Sequence, residues 1–182
     1  MLELSSNTIK VLGIFGRLST EQEAFFDELE KNYSQKPEGD QYSIFRHLTL
    51  TFIPDATIKD LNNQLTLLKD LRKFLPLKIN VKNAFVKNEE SLPGAEHVAI
   101  EFELSETHEL VKFIKKRCDK YTVATWYIKV VWFLPDIHHE TVIDQVLSIK
   151  ELEFTDFYLC TNKQNDVNTV FKTSQFAESG SL

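Results

Sequence analysis

His47-Leu48-Thr49-Leu50 is the stretch of this 182-residue chain whose residue types and spacing point to chemistry. Ser43 to Ile53 alternates as a strand does, with Ile44, Arg46, Leu48, Leu50 and Phe52 on one side and Phe45, His47, Thr49 and Thr51 on the other. An imidazole and a hydroxyl therefore share one face. Imidazole exchanges protons near neutral pH, and a hydroxyl two residues along can donate a hydrogen bond to a phosphate oxygen. A His-x-Thr tripeptide is short enough to arise often by chance, so its position in the chain carries more weight than its composition.

The elements around it follow from hydrophobic periodicity. Ile9 to Phe15 is a run of branched and aromatic residues that predicts a buried strand. Ser19, with Gln22 three residues on, predicts a helix start, after which Phe25, Phe26 and Leu29 fall on one face. Residues 35–41 read as loop, and the His47 strand is expected to end at Pro54. Thr57 to Lys73 has helical spacing, Leu77 to Val86 alternates as a strand, and Lys87 to Gly94 reads as a turn or loop. Further on come a strand at Val98 to Leu104, a helix from Ser105 and a strand at Val123 to Leu134. A helix from about His138 to Ile149 and strands near Glu153 to Cys160 and Val167 to Phe176 complete the order, leaving residues 177–182 as a tail.

This order repeats. Ile9 to Tyr33 matches Val98 to Tyr121, and Phe52-Ile53-Pro54-Asp55 matches Phe133-Leu134-Pro135-Asp136, each followed by a helix and a strand. The implied pseudo-repeats, 8–88 and 96–163, recur at about 85 residues. Two such units can pair as lobes with a ligand cleft between them.

Strand, helix, His-x-Thr strand, helix, strand, repeated once, resembles the two-histidine phosphoesterase superfamily, which includes the bacterial RNA 2′,3′-cyclic phosphodiesterases once named 2′-5′ RNA ligases. The resemblance covers residues 1–176 as a single domain. It implies an α+β fold in which two antiparallel sheets face a central cleft with helices outside. It also implies one His-x-Thr/Ser motif per lobe, a general acid and a general base acting on a phosphodiester, hydroxyls holding the phosphate, and no metal or other cofactor. His47 and Thr49 match the first motif as catalytic residues. The second should precede Pro135, where Trp126-Tyr127-Ile128-Lys129-Val130-Val131-Trp132-Phe133 contains no histidine. In one register Tyr127 and Lys129 take its cleft positions; matching the Phe-x-Pro-Asp segments without a gap puts Ile128 and Val130 there. Lys129 could fix a phosphate by charge, Tyr127 could donate a hydrogen bond or act as an acid, and Trp126 could stack on a base. His97, His138 and His139 read as structural or solvated.

Composition bounds these readings. No apolar run reaches the ~20 residues of a membrane-spanning helix, the N-terminus lacks the pattern of a signal peptide, and Cys118 and Cys160 read as free thiols, so the expected location is cytoplasmic. A net charge of −6 argues against gripping long duplex nucleic acid by counterion release. A small nucleotide or an RNA terminus is the expected partner, and the chain is expected to be a monomer. Lys69, Arg72 and Lys73, and Lys112, Lys115, Lys116 and Arg117, have the spacing of solvated helix faces. The expected activity is hydrolysis of a 2′,3′-cyclic or 2′-5′ phosphodiester. The alternatives are a homologue that binds nucleotide or RNA ends without cleaving them, and an interaction or structural role for a vestigial cleft.

Overall fold

A computed structural model describes residues 9–35, 46–88, 96–104, 108–118, 127–163 and 166–172. In chain order the elements are β1 (Ile9–Leu18), α1 (Thr20–Tyr33), β2 (His47–Ala56), α2 (Ile58–Leu71), β3 (Leu77–Asn88), β4 (Glu96–Phe102), α3 (Glu109–Arg117), β5 (Tyr127–Trp132), α4 (His139–Leu147), β6 (Glu151–Lys163) and β7 (Asp166–Lys172).

Local chemistry explains the helix starts. Ser19 Oγ accepts from Gln22 N at 3.4 Å. Thr57 and Asp60 form a reciprocal box, Asp60 N donating to Thr57 Oγ1 at 3.2 Å and Thr57 N to Asp60 Oδ2 at 2.8 Å. Each satisfies a backbone N–H that the first helical turn leaves without a partner. α3 begins later than expected from Ser105: His108 is its cap, and residues 105–107 lie outside the described residues.

The strands form one continuous antiparallel sheet in the order β2-β1-β6-β3-β4-β5, with β7 also pairing β6. The expected two separate sheets are thus corrected to one. The reason lies in β3, which is long enough to serve two partners: Leu77–Asn80 pairs with β6, and Val81–Asn88 pairs with β4. β2 also continues past Pro54 to Ala56. As a strand at the end of the sheet it tolerates a residue that cannot donate to a ladder, and it ends through Asp55, whose φ of 48° suits a short polar side chain.

Exchanging β1, β2 and β3 for β4, β5 and β6 leaves the sheet order unchanged when read from the other end. The third strand of each half is therefore the neighbour of the other half's first strand. α2 packs on β1, β2 and β6, while α4 packs on β3 and β4. Between helices and sheet lie Leu12, Ile14, Leu48, Leu50, Leu67, Leu68, Val98, Ile100, Ile128, Val142 and Phe154, all buried. Each such side chain contributes about 1.5–3 kcal/mol by leaving water. The opposite side of the sheet is more open, and the candidate residues stand there.

Candidate functional site

The β1–β2 ladder pairs Arg17 with His47 and Phe15 with Thr49, then resumes at Ile14 with Thr51. Leu50 is the extra residue of a β-bulge, a device that re-aims side chains. Before it, alternation holds: Arg46, Leu48 and Leu50 are buried, while His47 and Thr49 are half-exposed on the open face. After it the sides exchange, so that Thr51 is buried and Phe52 is 40% exposed, opposite to what alternation alone predicts. Thr51 secures the bulge. Its Oγ1 accepts from Ile14 N at 3.1 Å and donates to Gln64 Oε1 at 2.6 Å.

β5 is built alike. Its ladder with β4 pairs Glu101 with Tyr127 and Ala99 with Lys129, then resumes at Val98 with Val131, leaving Val130 as the bulge. Aligned on their bulges, His47-Leu48-Thr49-Leu50 and Tyr127-Ile128-Lys129-Val130 coincide, with the same half-exposed and buried alternation. Of the two registers the sequence leaves open, the structure therefore has Tyr127 and Lys129 on the open side. Ile128 and Val130 are buried at 1% and 0%. The gapless match of the Phe-x-Pro-Asp segments is one residue out of step with these ladders. Trp126 lies outside the described residues.

Arg46 brings the two strands together. It is 2% exposed and donates from Nε to the carbonyl of Val130, the β5 bulge residue, at 2.6 Å. Its Nη1 donates to Glu23 Oε2 at 3.0 Å and Asp27 Oδ1 at 2.6 Å. Its Nη2 is ion-paired with Glu30 Oε2 at 3.1 Å, at an angle outside hydrogen-bond geometry. Glu23, Asp27 and Glu30 line one face of α1, and Glu30 Oε1 also accepts from Trp132 N at 3.2 Å. Burial raises the Glu23 carboxyl above its ordinary value, against the pull of Arg46. His47 follows Arg46 and Lys129 precedes Val130, so the Arg46–Val130 bond ties together the backbones that carry the two candidate pairs.

Around His47, the Phe15 ring stands edge-on at 4.8 Å between centroids. Arg17, its ladder partner, donates to Tyr158 Oη at 3.3 Å. In the other half Lys87 Nζ donates to Tyr127 Oη at 2.8 Å, and Lys129 Nζ lies 5.0 Å from the Trp132 ring centroid. Arg17, Lys87 and Lys129 bring three cations to these ladders in a chain of net charge −6, and Glu101, Glu96 and Asp156 are carboxylates in them.

Sequence reasoning missed Lys87, Arg17 and the role of Arg46. The loop expected from Lys87 begins too early, because β3 extends through Asn88. Arg46 falls on the core side of the alternation, and a charged residue there is itself the signal, together with the i, i+4, i+7 spacing of Glu23, Asp27 and Glu30. Of the other histidines, His97 is fully buried with its ring centroid 4.9 Å from that of Trp132. His138 meets Tyr33 edge-on, and His139 Nε2 is 2.9 Å from Glu96 Oε2. Among the described residues, Glu96, Asp136 and His139 form the group whose donor atoms, within 4.8 Å of one another, could hold a metal ion. The close His139–Glu96 pair is also a sufficient partner for each.

No family model and no curated protein sequence matches the chain. Among solved structures, Kluyveromyces marxianus Usb1 with uridine monophosphate shares the fold, with a TM-score of 0.52 at 10% sequence identity over 89% of this chain and 98% of that one. A second structure of Kluyveromyces marxianus Usb1 gives a TM-score of 0.50 at 11% identity over 90% and 98% of the two chains. This chain is similar to Usb1 in fold.

Proposed function

We propose that the chain is a phosphodiesterase of the RNA-processing kind, acting on a 2′,3′-cyclic or 2′-5′ phosphodiester in a small nucleotide or RNA end. The observation that carries this reading is the bulge-matched placement of His47 with Thr49 and of Tyr127 with Lys129 on one open face, their strands tied by Arg46. His47 exchanges the proton, and the Thr49 hydroxyl donates to a phosphate oxygen. Lys129 offsets phosphate charge, while Tyr127 and Trp126 contact the nucleotide. The shared fold with Usb1, seen with uridine monophosphate, supports a small nucleotide as the ligand. We further propose that the matching halves derive from a duplicated unit, 8–88 and 96–163.

A second reading, binding without cleavage, is favoured by one observation: the position matching His47 is held by Tyr127. Incubation with 2′,3′-cyclic nucleotides and 2′-5′ oligoadenylates in EDTA, beside His47→Ala, separates the two. Turnover that falls ~10²–10⁴-fold in the variant supports the phosphodiesterase. Binding without turnover supports the second reading, and neither binding nor turnover refutes both for these ligands.

A further inference from the structure

Hydrolysis of a phosphodiester needs two proton transfers, one from the attacking water and one to the departing ribose oxygen. We infer that Tyr127, held by Lys87, is the proton donor to the leaving oxygen, with His47 the base; this rests on the phosphodiesterase reading above. Two independent features of the fold point to it. The bulges at Leu50 and Val130 give Tyr127 the same station on β5 that His47 has on β2. Lys87 Nζ donates to the phenolic oxygen at 2.8 Å and lies 4.7 Å from the ring centroid. A phenol that accepts from an ammonium has its own O–H left to donate, and the negative charge it acquires on giving up that proton sits beside a cation. Phe85, at 6.1 Å between ring centroids, packs edge-on against the Tyr127 ring.

The step balances. Water attacks phosphorus and its proton passes to the imidazole of His47 as the new P–O bond forms. The bond from phosphorus to the ribose oxygen breaks, and that oxygen takes the phenolic proton of Tyr127. The imidazolium then loses a proton to solvent and the phenolate regains one, so the net change is addition of one water. Tyr127 is the catalytic residue here, and Lys87 is a positioning residue acting through it.

The test compares two uridine phosphodiesters that differ only in the leaving oxygen, a nucleoside alkoxide or p-nitrophenoxide, which departs without a proton. In the full chain, Tyr127→Phe should slow alkoxide release ~10²–10⁴-fold and p-nitrophenoxide release less than ~10-fold, while His47→Ala slows both. Lys87→Met should shift the leaving-group dependence in the same direction, and Lys87→Arg should restore it. Thermal midpoints verify that each variant is folded. Equal loss on both esters, or loss on neither, in Tyr127→Phe overturns the assignment and leaves the phosphodiesterase standing. A wild-type protein that cleaves neither ester overturns the phosphodiesterase reading and the proton donor with it.

Discussion

Replacing Arg46 with Met keeps most of the side-chain volume and removes the charge that joins α1 to β5. Glu30, 7% exposed, and Glu23, 18% exposed, lose their cation, and the Val130 carbonyl loses its donor at 2.6 Å. Asp27, 70% exposed, is rehydrated at little cost. Breaking a buried ion pair by removing one partner costs about 3–5 kcal/mol, and a stranded carbonyl adds about 1–3 kcal/mol, which overlaps because the contacts share one side chain. Arg46→Met should therefore lose about 3–5 kcal/mol of unfolding free energy at pH 7. For a chain of this size that is a midpoint lower by roughly 6–20 °C. Urea denaturation followed by far-UV circular dichroism measures it. A loss below about 1 kcal/mol would mean that the carboxylates need no arginine and that the link between the two candidate strands lies elsewhere.

Three further outcomes follow from the same packing. Burial raises the Glu23 carboxyl above its ordinary 4.5, so its contribution to stability is full below that value and is lost as pH rises through the folded one. Glu23→Gln should flatten this part of the stability curve, and an unchanged slope contradicts it. Thr51→Val strands the Ile14 N–H and the Gln64 amide behind the Leu50 bulge, and should cost about 1–3 kcal/mol in the same denaturation assay; no loss would mean that the hydroxyl does not hold the bulge. A methyl at Gly13 would meet the Thr51 carbonyl oxygen and the Phe15 ring, each at 2.7 Å, so Gly13→Ala should destabilise by about 1–3 kcal/mol and shift the His47 ring resonances through Phe15; a silent substitution contradicts this packing.

Much of the element order is legible because local signals agree: Ser19 caps α1 as its side chain predicts, the helical spacing from Thr57 finds α2, and strand alternation places Leu48 and Leu50 inward with His47 and Thr49 outward. What is not legible is long-range. Nothing in the periodicity of Ile9–Leu18 says that its second neighbour is Glu151–Lys163, or that β3 serves two partners and so fuses the sheet. A bulge leaves only a one-residue break in alternation, too slight to choose between Lys129 and Val130 for the open face. Lys87 and Asn88 have low strand propensity, and it is pairing with β4 that extends them. Tertiary contact also holds Phe133, a bulky residue, at a φ of 54°, where its carbonyl accepts from Gln35 N at 2.9 Å.

On the proposed function, a phosphorylated nucleotide binds on the open face where β2 and β5 are tied together. Titrating the isotope-labelled protein with uridine monophosphate and following backbone amide resonances tests it most directly. Shifts should concentrate at His47–Leu50 and Tyr127–Trp132 and be lost in Lys129→Met. Shifts confined to the helical side of the sheet, or no shift at millimolar nucleotide, would contradict it.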